Sequence, residues 1–415
     1  MMDEATVDLM DQRLLDDPIG VYARLREQAP LHRASIPGVE APIWLATRYE
    51  DVKAVLSDPR FVKDANNVPG TAPPDAADQL IRAYGLPADY RPYLDTMLTK
   101  DGAEHTRLRK LVSRAFTVRR VSELRPGVER IVEHRLDELG GADGAVELLG
   151  EFALPVSGTV ICELLGVDEQ DRPRWCAWID EVASGDPARL GDAYRGMVAH
   201  TRELIERRRA QPADDLLTAL IHAHDEESGR LGETEMIAMV LLLVQAGHHT
   251  TAHLIANATV LLSDHPDQAA RLRGDPGLWP RAVHELLRVG TPVPLGGLVQ
   301  ATEDLEIAGA PVKRGEVVMC ALLAANHDPS RFAAPERLDI TREPATGRES
   351  HVSFSHGVHY CLGAALARLE GEVALSRLFA RYPDLSPAED RADLEYRSRP
   401  GAKGLARLPV LLNPR

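Results

Sequence analysis

The sequence predicts a mainly α-helical protein with a small β-rich portion. Three observations carry this. Most of residues 105–225 shows apolar positions at helical spacing, broken at proline and glycine. Residues 234–264 read as one helix, roughly 45 Å long at about 1.5 Å per residue. Strand patterns are short and cluster late, at Leu298–Cys320 and Leu405–Leu412, without the β-α alternation of a doubly wound sheet.

The elements follow in order. "APIWLATRYEDVKAVLSD" predicts a strand at Ile43–Ala46 and then a helix. Residues 62–96 are rich in Pro, Ala and Asp and only weakly patterned. So long a segment inside a compact protein is usually a lid or binding loop, and it is read here as a substrate-access loop. The run "MIAMVLLLV" (Met236–Val244) is about half of what a membrane span needs. The N-terminus is acidic and lacks an apolar run, so neither signal peptide nor anchor is expected. No G-x-G-x-x-G or Walker loop is present, so no built-in nucleotide site is expected.

Composition narrows the function classes. The net charge of −15 disfavours nucleic acid, whose backbone demands a basic face. Four cysteines, Cys162, Cys176, Cys320 and Cys361, are widely spaced with no C-x-x-C. That pattern suggests neither a zinc site nor a redox dithiol, and it fits a reducing cytoplasm. A cytoplasmic monomer with no membrane contact is the expectation.

Cys361 is the informative residue. It stands in "FSHGVHYCLG" (354–363), just before the helical pattern "AALARLEGEVALSRLF". A helix beginning near Leu362 would offer free N–H groups and a dipole that favour a thiolate. Gly357 and Gly363 allow a tight loop and let a flat ligand lie against the backbone. Such a sulfur is a nucleophile, a metal ligand or a buried structural thiol. His359, only two residues away, is poorly placed as its general base.

The stretch resembles the haem-binding loop of the cytochrome P450 family, Phe-x-x-Gly-x-x-x-Cys-x-Gly, with Ser355 where the family usually has glycine. The resemblance implies that Cys361 is the axial thiolate of haem b, flanked by Phe354 and Gly363. A thiolate ligand favours O–O cleavage. Other motifs follow in the family's order. "HELLR" supplies Glu285 and Arg288, and "FAAPERLDITR" supplies Arg337, as a structural Glu-Arg-Arg network. "DGAEHTRLRKLVSRAF" resembles the helix whose His105 and Arg109 reach a haem propionate, and the i, i+4 spacing puts both on one face. His359 would serve a propionate too. The family often places another arginine in the strand after the Glu-x-x-Arg helix; here Val299 stands near that place.

"VQAGHHTTAHLIA" resembles the family's oxygen-side groove, Ala/Gly-Gly-x-acid-Thr. Ala246 and Gly247 would flank the haem, and Thr250 matches the catalytic threonine. His249 replaces the acid and could relay protons, since an unperturbed histidine titrates near pH 6.5. Leu243, Val244, Val293 and Leu295 are expected to line the substrate pocket, together with residues 62–96 and the turn "RPGAKG".

The resemblance spans roughly residues 15–412 and implies one integrated domain over 1–415. It implies a monooxygenase acting on an apolar, medium-to-large natural product such as a polyketide, macrolide or steroid. With no flavin or nicotinamide motif in the chain, electrons would come from a ferredoxin and its NAD(P)H-dependent reductase. Arg107, Arg109, Lys110, Arg114, Arg119 and Arg120 form a basic excess suited to docking an acidic ferredoxin. Two other classes remain open at this stage: redox-neutral or peroxide-driven haem-thiolate chemistry, and a haem sensor or carrier without turnover.

Overall fold

The computed structural model describes residues 6–413 apart from 38, 40–41, 71–80, 82–85, 114–115, 142–143, 185, 227–230 and 344–349. Helices dominate it. Those that matter here are α1 (Gly102–Ser113), α2 (Val118–Leu139), α3 (Leu154–Leu165), α4 (Arg172–Ser184), α5 (Pro187–Ala210), α6 (Glu233–Asp264), α7 (Trp279–Val289) and α8 (Ala364–Arg381). None of the described helices is long and apolar enough to cross a membrane.

The long helix α6 is the axis of the core. At its start the Glu235 carboxylate accepts from the Gly232 N–H at 2.8 Å, which satisfies a donor left over at a helix N-terminus. It ends at His265, which precedes Pro266 and adopts φ −128, ψ 69, because the residue before a proline is pushed out of the helical region. Between these ends its residues are buried on most sides, among them Met236, Leu241, Ile255 and Leu262. They share one apolar cluster with Val132 of α2, Phe152, Trp175 of α4 and Leu375 of α8.

Among the described residues, six strands form the largest sheet. Its order is Val7–Asp8, Leu31–Ser35, Ile43–Ala46, Val317–Cys320, Val299–Ala301, Phe61–Val62. Trp44 pairs with Val318, Val299 with Val318 and Phe61 with Ala301. All four residues of Ile43–Ala46 are buried, as befits a strand covered on both faces. The expected late strands are present as Val299–Ala301, Leu305–Ile307, Ala310–Val312 and Val317–Cys320, then Ala402–Leu405 and Pro409–Leu411.

The brace between α7 and the sheet side corrects one expectation. Glu285 and Arg288 are 4% and 1% exposed and joined by two 2.8 Å bonds. The second guanidinium on Glu285 comes from Arg342, at 3.1 and 3.2 Å. Arg337 is exposed and lends only its carbonyl, which accepts from Arg288 at 3.1 Å and from Arg342 at 3.3 Å. Arg288 also donates to the carbonyls of Asn326 and Pro335. The buried charges are thus paired and their hydrogens are used, which burial of ions requires.

Candidate active site

Cys361 closes a loop rather than opening a helix. Its N–H donates to the Phe354 carbonyl at 2.8 Å, and α8 starts only at Ala364, with Gly363 as cap. Gly357 has φ +70, and a Cβ there would lie 2.2 Å from the Leu56 carbonyl oxygen. Glycine is therefore needed both for the dihedral and for the space. Ser355 sits at φ +64, in the left-handed region that glycine favours, at a cost of about 1 kcal/mol. The exchange of glycine for serine at this place is a strained one.

Exposed Cys361 forms one wall of a mostly apolar cavity. Leu243, Ala246, Gly247, Thr250 and Leu254 of α6 line it too. So do His105 and Arg109 of α1, and Val293, Leu295, Gly297, Phe354, His359, Tyr360 and Gly363 complete much of the lining. The α6 lining follows i, i+3/i+4, the spacing of one helix face.

That same periodicity corrects two expectations. Val244 is fully buried and packs in the core, and it is not among the lining residues. His249 also turns away from the cavity. At about 100° per residue, His249 points about 160° away from Gly247, and it is not among the lining residues. Its Nε2 lies 3.0 Å from Asp180 Oδ1 on α4, though the approach lacks hydrogen-bond direction. The pair is a close polar contact rather than an aligned bond. Next to it, His248 is 1% exposed and its Nε2 meets the Leu154 carbonyl at 3.0 Å. Burial first, and His249 second, lower the His248 pKa to about 4.

Thr250 donates its hydroxyl to the Ala246 carbonyl at 2.6 Å. Gly247 has a packing reason: a Cβ would lie 3.1 Å from Ile161 Cδ1 of α3. This close approach of α3 offsets its helix cost. The turn at 399–404 does not line this cavity either. A Cβ on Gly401 would lie 2.8 Å from Leu295 Cδ1, so the turn backs the wall, while Ala402 and Gly404 line a neighbouring cavity. Of residues 62–96, Lys63 faces the cavity; residues 71–80 and 82–85 lie outside the described ones.

His105, Arg109 and His359 cluster together. The His105 and His359 rings lie 4.2 Å apart, and Arg109 donates to the Tyr360 carbonyl at 2.6 Å. Burial, then His359 and Arg109, lower the His105 pKa to about 4. Burial also lowers the pKa of Arg109, against the pull of the Cys361 sulfur.

Two charged lining residues were not singled out from the sequence. Glu370 on α8 is 3% exposed, its Oε2 has no hydrogen-bond partner, and burial pushes its carboxyl well above the usual range. The available signal was an acid between Leu369 and Val373 on an apolar helix face. Lys63 is the second.

Cys361, just before α8, and the small and hydroxyl side chains of α6 thus line one apolar cavity. The family model "Cytochrome P450" matches residues 169–275 and 278–406. The chain belongs to the cytochrome P450 family. A "6-deoxyerythronolide B hydroxylase" of Saccharopolyspora erythraea is 43% identical, over 94% of this chain and 95% of its own. A "Vitamin D(3) 25-hydroxylase" of Pseudonocardia autotrophica is 41% identical, over 98% and 97%. The solved structure of the Bacillus subtilis 168 bacillaene polyketide synthase cytochrome P450 PksS superposes with a TM-score of 0.87 at 35% identity, covering 98% of this chain and 99% of that one. The protein is accordingly a haem b monooxygenase of this family.

The residues present fit that cofactor. His359 Nε2 is buried without a hydrogen-bond partner among the described residues; Asp101 Oδ1, at 3.8 Å, is beyond hydrogen-bond reach. Such an orphaned donor, beside Arg109 and His105, suits a cofactor that carries carboxylates. The apolar remainder of the cavity suits its flat ring.

Proposed function

We propose that this P450 inserts one atom of dioxygen into an apolar polyketide, macrolide or steroid-like compound, with electrons from a ferredoxin and its NAD(P)H-dependent reductase. The observation that carries the reading is that Cys361 and Thr250 line one cavity together with Leu243, Val293 and Leu295. In it Cys361 would ligate the iron, His105, Arg109 and His359 would hold the carboxylates, and Ala246, Gly247, Phe354 and Gly363 would flank the ring. Bound haem supplies oxygen activation, which thiolate ligation favours.

The chain's residues do the rest. Thr250 keeps a hydroxyl proton at the cavity wall, parked on the Ala246 carbonyl. Leu243, Val293 and Leu295 exclude water from the substrate side. His249, paired with Asp180, ties α6 to α4 and acts as a positioning residue. Three named relatives support the substrate class: one for 6-deoxyerythronolide B, one for vitamin D(3), one from a polyketide synthase system. Val358, three residues before the cysteine, is exposed, as are Lys110 and the neighbouring pair Val118 and Arg119, an apolar and basic mixture suited to an acidic electron carrier.

Two measurements test this. The reduced carbon monoxide complex should show the long-wavelength Soret band of thiolate ligation, and Cys361→Ser should lose it. An unchanged band in that variant defeats the assignment. A panel of macrolactones, linear polyketides and sterols should then shift the ferric Soret band. A shift given only by small polar compounds overturns the substrate class.

A further inference from the structure

Lys63 is unlike the other cations of the cavity. Its ammonium has no hydrogen-bond or ion-pair partner among the described residues, whereas Arg109 donates to the Tyr360 carbonyl at 2.6 Å. Asp101, the nearest carboxylate to act on it, is already committed. It accepts from the N–H groups of Lys63 and Asp64 at 2.8–3.0 Å and from Asn67 at 3.2 Å. Burial disfavours the charged form of Lys63, so the charge needs an anion that the chain does not supply.

The sheet explains how the lysine gets there. Lys63 directly follows the strand Phe61–Val62, whose Val62 pairs with Gln300. That register lays the lysine across the start of the neighbouring strand, where a Cβ on Gly297 would lie 3.1 Å from its Nζ. Val299, at the place where the resemblance leads one to expect an arginine, is buried in the apolar cluster with Val318 and Cys320. The neighbouring strand has no cation at that place, and Lys63 enters from the strand beside it.

We propose that Lys63 binds a haem propionate in place of the arginine missing at Val299, and thereby ties the root of the 62–96 segment to the cofactor. Seating the haem then fixes Lys63, the second residue of the 62–96 segment, a coupling that an arginine at 299 would not provide. This rests on the haem seat proposed above, and the test separates the two.

The test follows haem transfer from the holoenzyme to excess apomyoglobin for the parent, Lys63→Met and Lys63→Arg. Removing one charge-assisted hydrogen bond should speed haem loss by about tenfold, and Lys63→Arg should restore most of it. Each protein is also reconstituted with haem dimethyl ester, which has no carboxylate to bind. With the ester, parent and Lys63→Met should lose haem at the same rate. Equal rates with ordinary haem, or a gap that persists with the ester, overturn the proposal. Lys63→Met should keep the thiolate Soret band of its carbon monoxide complex; loss of that band would overturn it as well, by placing the lysine in the thiolate seat instead.

Discussion

Thr250 and His249 are neighbours in sequence with opposite surroundings. Thr250 lines the cavity and donates to the Ala246 carbonyl; His249 meets Asp180 on α4. Thr250→Ala should keep haem and substrate affinity but lower product formed per NAD(P)H severalfold, with peroxide released instead. Thr250→Ser should recover most of the loss. His249→Ala should couple nearly as well as the parent, because its imidazole does not line the cavity. His249→Glu would face Asp180 with a like charge and weaken the α4–α6 contact, which should show as a lower melting temperature. Product yield measured beside peroxide release decides this. If His249→Ala uncouples as badly as Thr250→Ala, the proton path runs through both. The threonine was legible because its register against Gly247 was intact in the sequence. The histidine's direction was not, because its role depends on which helix packs beside α6, and one step along a helix turns a side chain by about 100°.

At the scale of elements, the brace on Glu285 gives a discriminating experiment. Arg342 is 17% exposed at its side chain and bonded to Glu285, while Arg337 is exposed and offers only its carbonyl. Arg337→Ala should change stability by no more than about 0.5 kcal/mol. Glu285→Gln should cost about 3–5 kcal/mol, since it leaves Arg288 buried without its carboxylate. Arg342→Ala should fall between. Denaturant melts of the three holoenzymes check the order, and an Arg337 variant as damaging as Arg342→Ala would restore the sequence-based assignment. That assignment failed because two arginines stand five residues apart in "PERLDITR", and only the course of the chain after α7 decides which one turns inward. Helices fared better. The span 234–264 was legible to within a residue or two, since its apolar run and its His-Pro stop are local signals. The six-stranded sheet was not, because it joins Val7–Asp8 to strands some 300 residues away, and pairing over such separations leaves no periodic trace.

Over the whole molecule, two charge effects are separable by pH and salt. His248 and His327 are buried, and burial lowers both pKa values to about 4. A depressed histidine contributes stability that is complete above its ordinary value of 6.5 and is lost as pH falls through about 4, because the unfolded chain takes up the protons first. The melting temperature should therefore drop between pH 6.5 and 4, and His327→Gln should flatten part of that drop. The second effect concerns electron delivery to a protein of net charge −15. An acidic ferredoxin is repelled by the molecule as a whole, so docking demands a local basic surface. Of the basic residues in that region, Arg107 is engaged by Glu235, Arg109 faces the cavity, Arg120 is held by Asp214 and Glu123, and Arg114 lies outside the described residues. Lys110 is exposed, and Arg119, though bonded to Glu123 at 3.1 Å, keeps a 90% exposed side chain beside the exposed Val118. Arg119→Glu should slow reduction by ferredoxin severalfold at low salt. The gap should close as salt rises, because exposed charges are screened over about 10 Å at 0.1 M and about 3 Å at 1 M. Arg189→Glu is the control: it sits on α5 with a 70% exposed side chain. Either substitution loses one positive and gains one negative charge, moving the net charge from −15 to −17. If both slow reduction equally, the ferredoxin senses only the overall field. If Arg119→Glu alone does so, and the substrate-induced Soret shift is unchanged, the carrier docks on the cysteine side. Equal rates for parent and Arg119→Glu at every salt concentration would remove this surface from consideration.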